Sequence, residues 1–162
     1  MRSLMLGLAL TLSSAVHAQA YPTKPVRTIV PYPAGMATDI AARYFLYAFT
    51  KAFGQSFIAE NRAGANGNIG AAAAAKSAPD GYTLLMGTAG THSMNPHLYQ
   101  TLGFDPEADF EPVALIAVVP LVIAANASFP ATTVQELLAA AKAKPNMINV
   151  AHPSVTSLIA LE

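Results

Sequence analysis

Three short apolar runs alternate with two helical patterns in the first half of the chain, and this order limits the fold more than any other feature. The runs at residues 26–31, 56–59 and 82–86 have the length and composition of buried strands, and residues 38–53 and 69–77 have helical periodicity. Strands separated by helices are parallel and are joined by right-handed crossovers. The sequence therefore predicts an α/β fold built on a parallel sheet.

The composition agrees with strands that are buried on both faces. Hydrophobic residues make up 53% of the chain and charged residues 11%, as expected for a sheet covered on both sides. The absence of cysteine excludes disulfides and thiolate chemistry. Nine basic and nine acidic residues cancel, which argues against a nucleic-acid partner.

The first 20 residues differ from the rest and predict a cleaved export signal, residues 1–20. Arg2 precedes an apolar stretch at 4–12, and Ala18-Gln19-Ala20 gives the small-x-small pattern of a cleavage site before Tyr21. The stretch is shorter than the roughly 20 apolar residues that a spanning helix needs. We expect an exported, periplasmic protein, with an uncleaved anchor as the alternative.

The chain after residue 87 has a less regular pattern. Pro96 predicts a helix start, and Pro120 divides the apolar run 113–125 into two predicted strands.

A capped helix is predicted further along. Thr132 or Thr133 is the expected N-cap of a helix that continues through Ala143. A short strand is expected at 149–151, and a new helix from Ser154 that is cut off at the end of the sequence.

Each of the three predicted strands in the first half is followed by a loop of small and polar residues. These loops are residues 32–39, 61–68 and 87–93. In open parallel sheets, ligands bind beyond the carboxyl ends of the strands, where N–H groups at helix starts favour anions. Turn chemistry would explain any single loop, but three together predict a backbone-lined anion site.

Other chemistries are less well supported by the motifs. The glycines of GANGNIG lack the G-x-G-x-x-G spacing of a dinucleotide site, and no phosphate-binding P-loop motif occurs. The histidines lack metal-ligand spacing, and prolines bracket the acidic run at 105–111, which indicates a solvated loop rather than a calcium site. No metal or cofactor is predicted. A hydrolase using Ser93 and His92 is the alternative from another class, although no nucleophile elbow surrounds them.

Three stretches of the sequence resemble a known family in order and spacing. They read YPTKPVRTIVPYPAGMATDIAAR, ENRAGANGNIGAAAAAKSAPDGYTLLMGTAGTHSMNPHLY and DFEPVALIAVVPLVIAAN. The family is the periplasmic solute receptors of the tripartite tricarboxylate transporter system, called Bug or TctC-like, and the resemblance runs from Tyr21 to Glu162. It implies a type II periplasmic-binding-protein fold of two lobes and a non-enzymatic receptor. Such a receptor binds a small di- or tricarboxylate and delivers it to membrane permease subunits.

The resemblance also implies which residues bind the ligand. In the family, the loop after the first strand holds a ligand carboxylate through backbone N–H groups at the first helix and ordered water. The residues implied here lie in four segments: Tyr32, Ala34, Gly35, Met36, Thr38 and Asp39; Asn68; Thr88, Ala89, Thr91 and His92; and Ser154 and Thr156.

The chain departs from the family pattern at several of these positions. Met36 stands where a second glycine is usual, and Ala63 and Asn66 replace the usual Pro and Gly. If position 36 requires a positive φ, methionine costs about 1 kcal/mol there. The last segment, AHPSVTSLIALE, lacks the usual glycine of the loop that contains Ser154 and Thr156.

The resemblance implies that the chain is the N-terminal part of a two-lobed receptor. We expect a first lobe at 21–123 and a truncated start of the second lobe at 124–162. A non-binding fragment or decayed paralogue is the alternative to a receptor. Because only half of the two-lobed fold is present, we expect the chain to pack loosely or aggregate, and to bind carboxylates more weakly than a full-length relative by several orders of magnitude.

Overall fold

The computed structural model describes residues 20–145, 147–152, 154 and 156–157. The predicted export signal lies almost entirely outside these residues, as does most of the helix expected after Ser154. The elements are β1 (Val26–Val30), α1 (Ala37–Phe53), β2 (Phe57–Asn61), a 3-10 turn (Ala65–Gly67), α2 (Asn68–Ala75), β3 (Thr83–Leu85), a π-helical turn (Gly90–Met94), α3 (Asn95–Leu98) and α4 (Val134–Ala143). This order confirms the predicted α/β fold.

The three strands form a parallel sheet with β1 in the centre. The order is β2-β1-β3, with Val30 opposite Asn61 and Ile29 opposite Leu85. The two crossovers run in opposite directions across the sheet, so right-handed connections place α1 and α2 on opposite faces. Because the strands are parallel, the loops that follow them meet at one edge.

The core is centred on β1, as the composition indicated. Val26, Ile29 and Val30 are fully buried, and a run of buried neighbours is typical of a strand covered on both faces. Helix α1 adds Ala42 and Leu46 to this core, and α2 adds Ala71.

The helix boundaries follow the predicted signals. Gly54 ends α1 in the left-handed conformation, and its N–H donates to the Thr50 carbonyl. Thr133 is the N-cap of α4 and forms a capping box with Glu136. Pro96 lies in the first turn of α3.

The strands predicted within 113–125 and at 149–151 are wrong, because the structure has no regular strand in either segment. A strand forms only with a hydrogen-bonding neighbour, whatever the propensity of its residues. Without one, the run stays exposed, with Val113 and Val122 more than four-fifths accessible to solvent. Residues 114–117 lie beside the end of β3 and line a groove with it, without pairing.

Among the described residues, none of the helices has the length and apolar character required to cross a membrane. The proposed lobe boundary between residues 123 and 124 stays a prediction.

Candidate functional site

Three loops meet at the carboxyl edge of the sheet. We call residues 31–36 loop A, residues 62–67 loop B and residues 86–92 loop C. A hydrogen bond of 2.9 Å joins the Tyr32 hydroxyl of loop A to the Thr88 hydroxyl of loop C. The structure therefore brings together the loops that the sequence predicts as one site.

Gly67 of loop B packs against both loop A and loop C. It has a φ of +95°, and a Cβ there would lie 2.7 Å from Thr91 Cγ2 and 3.4 Å from both Pro31 and Tyr32. Only glycine combines this conformation with so close an approach. Loop B is thereby held against loops A and C at once.

The start of α1 lies at the end of loop A and lacks a side-chain cap. Met36 is the N-cap residue and makes no capping hydrogen bond, so the amides of Ala37 and Thr38 are not satisfied by that side chain. The helix is 17 residues long, and its dipole favours negative charge at this end. These features are those that favour an anion at a helix start, and that an anion binds here stays a prediction.

Met36 is not strained by its departure from the family pattern. Its φ is −72°, whereas Gly35 has the positive φ, +85°. Because the left-handed position is Gly35, the cost considered for methionine does not arise.

Asp39 directs its carboxylate into the protein. One oxygen accepts the Gly35 N–H at 2.8 Å, and Arg43 and Asn61 donate to the carboxylate as well. Hydrogen bonds from Arg43 and from the Gly35 amide lower the pKa of the Asp39 carboxyl to about 2. Asp39 is therefore ionised at neutral pH and supports loop A; direct contact with a ligand stays a prediction for it.

Thr91 and His92 form the inner part of loop C. Thr91 is fully buried, and its hydroxyl lies 2.8 Å from His92 Nδ1. The imidazole packs edge-on against Phe110 at 5.1 Å between ring centroids. Burial lowers the pKa of His92, which favours the neutral ring at pH 7.

The hydrolase alternative gains no support from this geometry. Among the described residues, Ser93 and His92 share no hydrogen bond, and the Nδ1 atom of His92 is bonded to Thr91 instead. A nucleophile and its base need to be within hydrogen-bonding reach of each other.

Asn68 is largely buried and packs beneath loop B. Its Oδ1 accepts a 2.6 Å hydrogen bond from Asn95 Nδ2, which also donates to the Asn66 carbonyl at 3.0 Å. Asn66 itself has a φ of 52°, a conformation that asparagine tolerates better than most residues. This explains how the chain accommodates Asn66 where the family usually has glycine.

Ser154 and Thr156 are not joined to the three loops. The hydrogen bonds of Ser154 are made with Ser157 in its own turn. In the part of the chain that the structure describes, no hydrogen bond links Ser154 or Thr156 to loop A, B or C.

Three residues near the site were not predicted from the sequence. They are Arg43, Asn61 and Asn95. Asn61 and Asn95 donate to backbone carbonyls of loops A and B, and Arg43 donates to Asp39. The spacing of Asp39 and Arg43, i and i+4 on one helix, is a signal that indicates such a pair. Asn61 and Asn95 act across elements and have no comparable local signal.

Within the described ranges, no three histidine, aspartate or glutamate side chains come together as a metal ion would require.

A parallel sheet whose strand-end loops meet at its carboxyl edge is the arrangement in which α/β proteins bind ligands. Residues 41–161 match the family described as the tripartite tricarboxylate transporter family receptor. The chain belongs to this family, and the resemblance seen in the sequence is confirmed.

Individual relatives agree with this assignment. A UPF0065 protein of Bordetella bronchiseptica is 40% identical over 97% of this chain and 47% of its own length. A solved R. palustris protein with adipate is 41% identical with a TM-score of 0.75, covering 79% of this chain and 43% of that one. MatC from Rhodopseudomonas palustris with bound malate is 35% identical with a TM-score of 0.79, covering 87% of this chain and 50% of that one. The chain thus spans about half the length of these relatives.

Proposed function

We propose that this chain provides the first half of a periplasmic receptor that captures a small carboxylate and presents it to the permease of a tripartite tricarboxylate transporter. The proposal includes no catalytic step. The observation that carries it is the uncapped start of α1, which follows loop A at the edge of the sheet where loops A, B and C meet.

A carboxylate matches this position for physical reasons. The amides after Met36 donate hydrogen bonds, and the positive end of the helix dipole adds attraction without a fixed cation. The loops bring the hydroxyls of Tyr32 and Thr88 to the same edge of the sheet, and Gly35 has open space where a side chain would stand, which leaves its backbone accessible.

The ligand class that we propose is an aliphatic dicarboxylate. The solved relatives carry adipate and malate, and both molecules have two carboxylates. The site on this half would hold one of them. The groups that select the other end would come from the second lobe, where we place Ser154 and Thr156.

The binding test uses protein that is expressed with its predicted export signal, residues 1–20, and purified after export. Thermal melting is measured with adipate, malate and citrate, and with the uncharged diamide of adipate as the matched control. We expect the carboxylates to raise the melting temperature at millimolar concentration, because binding only the folded state stabilises it, and the diamide to have no effect. Equal shifts with diamide and diacid, or conversion of the ligand to a product, would contradict the proposal.

Export is expected to remove the first 20 residues. The basis is Arg2, the short apolar stretch after it and the Ala18-Gln19-Ala20 cleavage pattern. Mass measurement of protein from the periplasm of a Gram-negative host should give a mature start at or near Tyr21. A soluble cytoplasmic product that keeps Met1 would contradict the periplasmic location.

A further inference from the structure

Three side chains behind loop A are all hydrogen-bonded to one another. Arg43 Nε lies 3.0 Å from both carboxylate oxygens of Asp39. Arg43 Nη2 donates to Asn61 Oδ1 at 2.9 Å, and Asn61 Nδ2 donates to Asp39 Oδ1 at 2.9 Å. We call Asp39, Arg43 and Asn61 the rear cluster. Closed networks of this kind hold their members in one geometry.

The rear cluster holds loop A at both ends. Asn61 Nδ2 donates to the Tyr32 carbonyl at 3.0 Å, just after β1. Asp39 Oδ2 accepts the Gly35 N–H at 2.8 Å, just before α1. The backbone between these two bonds leads directly to the amides at the helix start, so the cluster sets their direction.

The charge of Asp39 creates a conflict that Arg43 resolves. Asp39 is the third residue of α1 and is only 2% exposed, so a negative charge lies within the turn that would receive an anion. A ligand anion at the helix start would be repelled by this charge, and more strongly the less water lies between the two. Arg43 is the charged group that contacts Asp39; the other donors, Asn61 and the Gly35 amide, are neutral.

We propose that the rear cluster is a positioning device for the ligand carboxylate, in which Asp39 and Asn61 fix loop A and Arg43 cancels the charge of Asp39. The inference rests on the proposed carboxylate-binding function. Arg43 is a positioning residue, since it acts on the ligand through Asp39. Half of its side chain is exposed, so it can be replaced without opening the core.

The charge part of the proposal is tested with Arg43→Gln and with the double variant Asp39→Asn/Arg43→Gln. Calorimetric titration with adipate near pH 7 should show at least about tenfold weaker binding for Arg43→Gln. The double variant should recover most of this loss, because it removes the uncompensated anion. Lys24→Gln is the matched control: it also removes one positive charge from an ion pair, with Asp80, and should bind like the wild type. If the double variant binds adipate as weakly as Arg43→Gln does, Arg43 does not act by cancelling the charge of Asp39.

A pH profile separates this role from a general loss of structure. Arg43 is the largest cause of the low pKa of Asp39, so the pKa of this carboxyl rises in Arg43→Gln. As the pH falls from about 7 towards about 4, near the ordinary pKa of an aspartate, protonation of Asp39 begins in the variant before it begins in the wild type. The ratio of wild-type to variant affinity should therefore shrink. Protonation of adipate itself cancels in this ratio. A ratio independent of pH would contradict the proposal.

A ligand-free measurement distinguishes failure of the cluster from failure of the proposed function. Hydrogen exchange of the Gly35 amide should be about tenfold faster in Arg43→Gln, because Asp39 loses its anchor. The Gly54 amide, at the other end of α1, serves as the internal reference and should be unchanged. Unchanged Gly35 exchange would overturn the positioning device even if the wild type binds carboxylates. Faster exchange in a protein that binds none would support the device and refute the function.

Discussion

Replacement of Gly70 by alanine is expected to lower the free energy of unfolding by about 1–3 kcal/mol, the usual cost of overpacking. Gly70 lies in the first turn of α2, where a Cβ would be 2.7 Å from the Arg62 carbonyl oxygen and 2.8 Å from Pro31 Cα. Both contacts are with backbone, so a side-chain rotation cannot relieve them. Pro31 belongs to loop A and Arg62 to loop B, so the substitution pushes α2 away from both loops and strains the site as well as the fold.

Crowding at Gly70 and helix propensity predict changes in stability of opposite sign, so the experiment distinguishes them. Helix propensity alone predicts that Gly70→Ala stabilises the protein by up to about 1 kcal/mol. Ala74→Gly in the same helix is the calibration. Ala74 is half-buried, so the variant should show the propensity effect, a loss of about 1 kcal/mol, together with the small loss of a partly buried methyl group. Urea unfolding followed by circular dichroism measures both. A Gly70→Ala protein as stable as the wild type, or more stable, would show that α2 does not approach loop A as closely as the structure has it.

Replacement of Gly35 by valine is expected to weaken carboxylate binding by at least tenfold, or about 1.4 kcal/mol. Gly35 has a φ of +85°, a conformation that costs a branched residue more than 1 kcal/mol. Relief of this strain moves the Gly35 amide away from Asp39 and redirects the helix start. The added side chain also crowds the backbone that the ligand approaches.

Gly54→Val is the matched control for this variant. Gly54 also has a positive φ, +68°, and like Gly35 it has no atom within 4 Å of an added Cβ. It ends α1 instead of beginning it, so both variants should lose stability and only Gly35→Val should lose affinity. Calorimetric titration at a temperature where both are folded makes the comparison. Equal affinity in the two variants would place the ligand away from loop A.

The elements that follow local signals were predicted well from the sequence. β1 is a short segment rich in β-branched residues, long enough for one buried strand. Gly54 and Thr133 end or begin helices through bonds within their own turns. The meeting of the three loops follows from parallel strand order alone. For these features, the information lies within a few residues of the chain.

The predictions that failed depend on partners distant in sequence. The run 113–125 has strand composition, but a strand needs a hydrogen-bonded neighbour, and residues 114–117 lie beside the end of β3 without pairing with it. The rear cluster joins α1 to β2 and could not be deduced from Asp39 alone, which was assigned to the ligand. Met36 shows the same limit: its consequence depended on which of two adjacent residues has the positive φ, and only the structure answers that.

The most direct test of the central claim maps the ligand on the protein by NMR. Amide chemical shifts of the whole protein, after export, are followed during titration with adipate up to tens of millimolar, a range that detects even weak binding. The account predicts that the largest changes occur in loops A, B and C and at the amides of Ala37 and Thr38, with α4 unaffected and the uncharged diamide without effect. Changes centred on α4 or on residues 113–125, or no change at the start of α1, would contradict it.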